Sequence, residues 1–312
     1  MSISCLVTGG VGFIGSHLVD RLLQAGHRVR VLDNFTTGFR HNLEGVAADV
    51  EIIEGDVRDL GLLRSAARGI DAVFHQAALP SVPRSFADPI ATHENNATGT
   101  LNVLVAARDA GARRVVCASS SSVYGDAPVE RKREDLPTAP RSPYAVSKLA
   151  AEQYCRAFFI GYGLEAVALR YFNVFGPRQD PNSPYSAVIP RFLAAMLNGQ
   201  SPTIYGDGLQ SRDFTYVQNV VDANLLAATS PGVGGEVFNI ARGENYGLLD
   251  LVDALKAILG VDLAPTFEKP RAGDVRHSRA DVSKAREMFG FEPRVGFEEG
   301  LRLTAEWYQR QR

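Results

Sequence analysis

The sequence predicts an α/β fold: a doubly wound parallel sheet followed by a smaller C-terminal α/β unit. Three observations lead there. Short, almost continuously apolar runs alternate with segments of helical period through the first half of the 312 residues. A glycine triplet, Gly9-x-x-Gly12-x-x-Gly15, directly follows the first apolar run. Beyond Gly176-Pro177 the elements shorten, and loops rich in Pro, Gly and Asn part them at 177–184, 206–208, 231–235 and 270–273.

The apolar runs at 3–7, 29–32, 50–53, 72–74, 115–118 and 166–169 read as buried strands. A parallel sheet covered on both faces leaves no wet face to alternate with. Between the first two, Ile14, Leu18 and Leu22 share one helical face and Gly26 supplies the stop. Residues 89–110 form one long helical pattern ended by Gly111. Another starts at Ser142-Pro143-Tyr144, with serine at the N-cap and proline in the first turn, and runs to about Tyr162. Right-handed crossovers between such elements give the doubly wound order. The expected division is 1–176 for the first unit and 177–312 mainly for the second, with some segments returning to the first. A last helix holds the lone Trp307.

A formal net charge of −2 with interspersed signs leaves no basic face for nucleic acid. No apolar run reaches membrane-spanning length and Met1 leads straight into a strand-like run, so a cytoplasmic location is expected. Cys5, Cys117 and Cys155 sit in apolar strand or helix patterns without metal-ligand spacing, which reads as buried thiols. The six histidines show no paired spacing, so no metal site is expected.

Gly9, Gly12 and Gly15, with Phe13 and Ile14 between them, close a tight strand-to-helix turn whose N–H groups can meet a pyrophosphate. Asp33, 18 residues beyond Gly15, ends the second strand. A carboxylate there accepts from both adenosine ribose hydroxyls and repels a 2′-phosphate, and Asn34 rather than an arginine follows, so NAD is favoured over NADP. Asp56 and Val57 are expected near the adenine, and Ala77-Ala78 would bring bare backbone to the diphosphate.

Tyr144-x-x-x-Lys148 places a phenol and an ammonium one turn apart on one helical face. A free phenol, with a pKa of about 10, is a poor base at neutral pH. The ammonium and a cationic nicotinamide ring would lower it. Tyr144 could then take a proton from a sugar hydroxyl while hydride leaves the same carbon, with Ser120 of the run Ser119–Ser122 holding that hydroxyl in line.

Over essentially all its length the chain resembles the extended short-chain dehydrogenase/reductase family, within it the nucleotide-sugar epimerases and dehydratases. The resemblance rests on Thr8-Gly9-Gly10-Val11-Gly12-Phe13-Ile14-Gly15, Asp33-Asn34, Ser122-Val123-Tyr124-Gly125, Tyr144-Ala145-Val146-Ser147-Lys148 and Arg170-Tyr171-Phe172-Asn173. It implies a Rossmann-type sheet, Tyr144 as base, Ser120 as the catalytic hydroxyl four residues before Tyr124, and Lys148 bridging to the nicotinamide ribose. Thr37, Gly38, Gln76, Asn96 and Tyr171 are the further implied cofactor contacts. A homodimer pairing helices 96–110 and 144–162 is implied as well.

The resemblance also narrows the reaction. Sugar 4,6-dehydratases resemble Thr-Asp-Glu over the positions of Ser120-Ser121-Ser122, and UDP-glucuronate decarboxylases Thr-Ser-Glu. Three hydroxyls without a carboxylate leave oxidation at carbon 4, turning of the keto sugar and return of hydride to the other face, which is 4-epimerisation of a UDP-hexose. Implied substrate contacts are Ser81, Ser121, Ser122, Asn173, Val188, Tyr205 and Arg212, with Arg271, Asp274 and Ser278 in a later loop. Arginine forks suit a diphosphate. Serine at 278, where epimerases restricted to unacetylated hexoses often resemble Tyr and those accepting N-acetyl groups carry a small residue, leaves room for a 2-acetamido group. The segments 81–85 and 178–190 resemble UDP-N-acetylglucosamine 4-epimerases, with Pro80 departing from their Gly. Asp180 is expected to repel a sugar carboxylate and disfavour UDP-glucuronate. A UDP-glucose 4-epimerase without N-acetyl activity, a UDP-glucuronate 4-epimerase, a dehydratase or decarboxylase, and a non-catalytic NAD-binding regulator are the alternatives.

Overall fold

The computed structural model describes residues 2–183, 186–269 and 276–311. The first half runs β1 (Ser4–Thr8), α1 (Phe13–Gln24), β2 (Arg28–Asp33), β3 (Val50–Glu54), α2 (Leu60–Ala66), β4 (Ala72–His75), α3 (Val82–Ala87), α4 (Pro89–His93), α5 (Gly99–Asp109), β5 (Arg114–Ser120), α6 (Pro143–Tyr162) and β6 (Glu165–Tyr171). The second half continues with β7 (Val174–Phe175), α7 (Val188–Leu197), β8 (Thr203–Tyr205), β9 (Ser211–Arg212), β10 (Thr215–Tyr216), α8 (Val217–Thr229), β11 (Val237–Ile240), β12 (Tyr246–Gly247), α9 (Leu248–Leu259), β13 (Thr266–Glu268), β14 (His277–Ser278), α10 (Ser283–Phe289) and α11 (Phe297–Arg310).

Seven parallel strands form the central sheet in the order β11-β6-β5-β4-β1-β2-β3. Successive strand residues bury on opposite faces, as a period of two requires. Cys5, Val7, Val31, Phe74, Val116 and Leu169 join α1, α8 and α10 in one core. Leu6, Leu32, Val73, Val115, Cys117 and Ala168 join α2, α5 and α6 in the other. Both faces are dry along the central strands, which is why these read as nearly continuous apolar runs.

Two features depart from the sequence expectation. The long helix at 89–110 is divided into α4, a π-helical turn at 94–98 and α5. The seventh strand, Val237–Ile240, is not among the six apolar runs. It carries Asn239, fully buried, whose carboxamide accepts from Tyr124 Oη at 2.7 Å and donates to the Lys132 and Asp281 carbonyls at 2.9 and 3.1 Å. A buried amide so satisfied costs little, but it breaks the apolar pattern. Helix α8 and strand β11 thus join the layers of the large sheet from beyond residue 177. The smaller unit packs α7, α9 and α11 around Phe192, Leu193, Phe214, Leu251 and Phe297. Among the described residues no helix is long and apolar enough to cross a membrane.

Candidate active site

In a parallel sheet all C-terminal strand ends lie along one edge, and the strand order reverses between β1 and β4. Ligands of such sheets bind in the crevice at that reversal. Gly9, just after β1, has φ +73°, and a Cβ there would stand 2.6 Å from the Ala77 amide nitrogen after β4. A Cβ on Gly15 would strike the Gly9 carbonyl. The turn therefore requires bare backbone. Helix α1 begins at Phe13 with no side-chain cap, which leaves the N–H groups of its first turn able to meet an anion. Gly38, after the exposed Thr37, closes on the same turn; a Cβ on it would lie 2.8 Å from Gly12 N.

Asp33 ends β2 beside this turn. Its carboxylate accepts from Val11 N at 3.1 Å and Phe35 N at 2.9 Å. Burial raises its pKa and those amides oppose the rise. One strand further, Asp56 accepts from Arg58 and from Asn34 Nδ2, each at 2.9 Å. The hydrogen bonds from Arg58, ahead of the rest, bring its pKa down to about 2. Val57 is buried against Gly99. From Asp33 to Ser120 the edge crosses three strand spacings, roughly 14 Å, a span suited to an extended dinucleotide.

Asn96 has well-defined protein partners. It sits in the π-helical turn, accepts from Leu79 N at 2.8 Å, and donates to Leu79 O at 3.3 Å and Ser147 Oγ at 3.0 Å. Its side-chain amide braces the loop after β4 against α6. Gln76 and Tyr171 converge on Asn224 of α8, with the Tyr171 hydroxyl 3.1 Å from both Gln76 Nε2 and Asn224 Oδ1. Asn224 gave no sequence signal, since its partners lie 53 and 148 residues away.

Ser142 caps α6 by accepting from Ala145 N at 3.1 Å, which fixes the first turn and Tyr144 within it. Burial raises the Tyr144 pKa, and a hydrogen bond with Ser120 lowers it. Lys148, one turn on, is 5% exposed and donates to the Ala118 carbonyl at 2.9 Å. Burial brings its pKa down to about 8, with Cys117, Glu152 and Cys155 opposing. The expectation that Lys148 lowers the tyrosine is therefore not met in the protein alone; Ser120 does so, and the ammonium is held on the strand. Behind both, Glu152 accepts from Ser119 Oγ and, through two bonds at 2.9 and 2.8 Å, from Arg170, all buried.

Tyr144 opens on a cavity of about 440 Å³, within the ordinary range of small-molecule sites. Ser120, Ser121, Ser122, Tyr171, Asn173, Val188, Tyr205, Arg212 and Ser278 line it. Asn173 holds φ +31°, a sparsely populated conformation for a non-glycine residue. Ser81 is not on the wall: its hydroxyl caps α3 by accepting from Arg84 N at 3.1 Å, and Val82 and Pro83 face the cavity. Arg271 and Asp274 lie outside the described residues. Asp180 is not a wall residue either, and its carboxylate accepts from Asn182 N at 2.8 Å. The repulsion of a sugar carboxylate expected from it thus lacks the necessary placement. Lys132, Arg141 and Arg191 line the cavity without having been picked out in the sequence.

Residues 5–241 match the model of the "NAD dependent epimerase/dehydratase family". The chain belongs to this family. A UDP-glucose 4-epimerase of Mycolicibacterium smegmatis is 40% identical over 97% of the chain and 98% of that protein. Among solved structures, a UDP-N-acetylglucosamine 4-epimerase from Methanobrevibacter ruminantium M1, in complex with UDP-N-acetylmuramic acid, superposes with a TM-score of 0.96. It is 42% identical and the match covers 100% of this chain and 99% of that one. A Thermus thermophilus UDP-glucose 4-epimerase in complex with NAD has a TM-score of 0.90 at 39% identity, covering 98% and 99%. The family's cofactor is NAD, and the side-chain-free turn of Gly9, Gly15 and Gly38 beside Asp33 fits it.

Proposed function

We propose that the protein is an NAD-dependent UDP-hexose 4-epimerase that interconverts UDP-N-acetylglucosamine and UDP-N-acetylgalactosamine, and also takes UDP-glucose and UDP-galactose. The observation that carries this reading is the wall beside Tyr144, where Ser120, Ser121 and Ser122 offer hydroxyls and no carboxylate. Expelling water across carbons 5 and 6 needs a base and an acid at that place; oxidising carbon 4 does not. Ser278, buried on the same cavity, leaves volume for an acetamido group. The names of the similar proteins support both substrate pairs.

When bound, NAD supplies reversible hydride acceptance. The chain's own residues manage the proton. Ser120 orients the 4-hydroxyl, Tyr144 removes its proton, and the same phenol returns a proton after the sugar has turned. Lys148 keeps positive charge near the phenolate. Arg212 and the Asn173 turn hold the diphosphate end while the ring changes face. In this reading residues 1–176, completed by α8 and β11, hold the cofactor, and most of the remainder holds the UDP-sugar. We also assign the protein as a homodimer. Phe86, Ile90, Val146 and Ile160 are 59%, 71%, 51% and 72% exposed on α3, α4 and α6, and apolar side chains set out in this way mark a surface that a second copy would cover.

The experiment is incubation of the NAD-loaded protein with UDP-N-acetylglucosamine, UDP-glucose and UDP-glucuronate, resolving 4-epimers from dehydrated and decarboxylated products. 4-Epimers without added oxidant support the reading. A 4-keto-6-deoxy sugar or a pentose as the main product contradicts it.

A further inference from the structure

The Glu152 carboxylate is fully buried on α6. Tyr144, Lys148 and Glu152 follow one another at spacings of four, so they share one helical face. That face meets three consecutive residues at the end of β5. Lys148 Nζ donates to the Ala118 carbonyl at 2.9 Å, Ser119 Oγ donates to Glu152 Oε1, and Ser120 hydrogen-bonds Tyr144. Only the middle tie uses neither the base nor the ammonium, so it holds strand to helix whatever the proton does. A second strand completes the joint. Ser119 pairs with Arg170 across β5 and β6, and Arg170 forks onto the same carboxylate, with Nε 2.9 Å from Oε1 and Nη2 2.8 Å from Oε2. The guanidinium carbon lies 4.6 Å from the Tyr124 ring centroid.

The charges around Lys148 point the same way. Burial disfavours its ammonium, and Cys117 of β5 with Glu152 and Cys155 of α6 oppose that. Glu152 is the one carboxylate among them. From β4 the fully buried His75 senses Lys148; burial, ahead of Lys148, brings its pKa down to about 3, so it is neutral there. A buried ion pair is a weak source of stability, since apolar side chains of similar volume often do as well. Apolar side chains would supply neither the bond to Ser119 nor an anion facing Lys148.

We propose that Glu152 is a positioning residue for the proton transfer at Tyr144: through Ser119 and Arg170 it clamps the end of β5 onto α6, and it is the carboxylate that faces Lys148. The proposal rests on the epimerase reading for turnover, and for the state of Lys148 on the fold alone. Glu152 touches neither sugar nor cofactor. It acts through the two residues that do.

The test follows Lys148 and turnover separately in the NAD-loaded protein, as wild type, Glu152→Gln, Ser119→Ala and the double variant Glu152→Gln with Arg170→Met. The double variant strands neither charge of the pair and keeps the fold where the single variant loses it. Lys148 is read by NMR titration of lysine carrying carbon-13 at Cε, its resonance assigned with Lys148→Met. In Glu152→Gln and in the double variant its midpoint should fall by about one pH unit or more, as loss of a facing opposite charge does. The alkaline limb of kcat should move down with it, a drop of about tenfold on that limb against less than about threefold at pH 6.5. Ser119→Ala should lower kcat about tenfold with KM within about threefold and the Lys148 midpoint unmoved. An unmoved midpoint in both Glu152 variants overturns the proposal, and so does an equal loss of kcat at every pH, which makes the pair a structural brace. A wild-type profile in the double variant beside a shifted Glu152→Gln overturns it too, because the stranded Arg170 is then the cause. Wild-type kcat in Ser119→Ala overturns the clamp. If the wild type yields no 4-epimer, the epimerase reading fails, and the Lys148 midpoint still decides whether Glu152 acts on it.

Discussion

Burial acts in opposite directions on Tyr144 and Lys148, raising the phenol's pKa and lowering the ammonium's. A phenol so placed is a useful base only through its partners, which makes its proton transfer separable from its packing. Tyr144→Phe should retain NAD and its thermal midpoint while kcat falls about 10²- to 10⁴-fold, the usual share of a general base; turnover within a few-fold of wild type would remove Tyr144 from the mechanism. Lys148 gives a pH signature. Its folded pKa of about 8 lies below its unfolded value of about 10.4, so between those values the unfolded chain binds the extra proton and stability rises with pH. Denaturant midpoints taken from pH 7 to pH 10 should show that rise in the wild-type protein without added sugar, and Lys148→Met should flatten it. In the proposed reading Asp33 sets the cofactor. Asp33→Ser should weaken NAD and narrow its advantage over NADP, as measured by fluorescence titration of the reduced forms; an unchanged ratio would place the ribose elsewhere.

At the scale of elements, the π-helical turn at 94–98 aims Asn96 at the loop after β4. Asn96→Ala would strand the Leu79 amide and carbonyl, and we expect a loss of about 2–3 kcal/mol in urea unfolding with a higher KM. A neutral result would mean that the loop is held by packing alone. Nothing in the sequence marks this turn, because its register depends on Leu79 and Ser147, which come from other elements. The elements that were legible carry their cause locally. Strands β1, β2, β4, β5 and β6 show as apolar runs because both sheet faces are dry there, the edge strand β3 shows through Val50, Ile52 and Ile53 although it is only half-buried, and α6 shows through its Ser142 cap and Pro143. Strand β11 was hidden by Asn239, whose partners lie 42 to 115 residues away. The site divides in the same manner. Gly9, Asp33, Tyr144 and Lys148 sit at spacings dictated by one turn or one strand, whereas Lys132, Asn224 and the Glu152–Arg170 pair become visible only once distant segments meet. Ser81 and Asp180 show the converse: each accepts from a local backbone N–H, of Arg84 and Asn182, and neither lines the cavity.

At the scale of the whole molecule, one sheet edge carries cofactor turn and base, and the smaller unit closes the cavity over them. Exposed apolar side chains on α3, α4 and α6 predict a dimer by sedimentation. Ile160→Asp combined with Val146→Asp should shift it to monomer while preserving far-UV circular dichroism; a wild-type monomer would contradict the assignment. In the proposed reaction hydride leaves carbon 4 and comes back to the same carbon within one closed site. UDP-N-acetylglucosamine deuterated at carbon 4, turned over in ordinary water and followed by NMR, tests it most directly. The expected product is UDP-N-acetylgalactosamine that keeps the deuterium at carbon 4. Product that has lost the label to solvent, or that carries no inversion at that carbon, would contradict it.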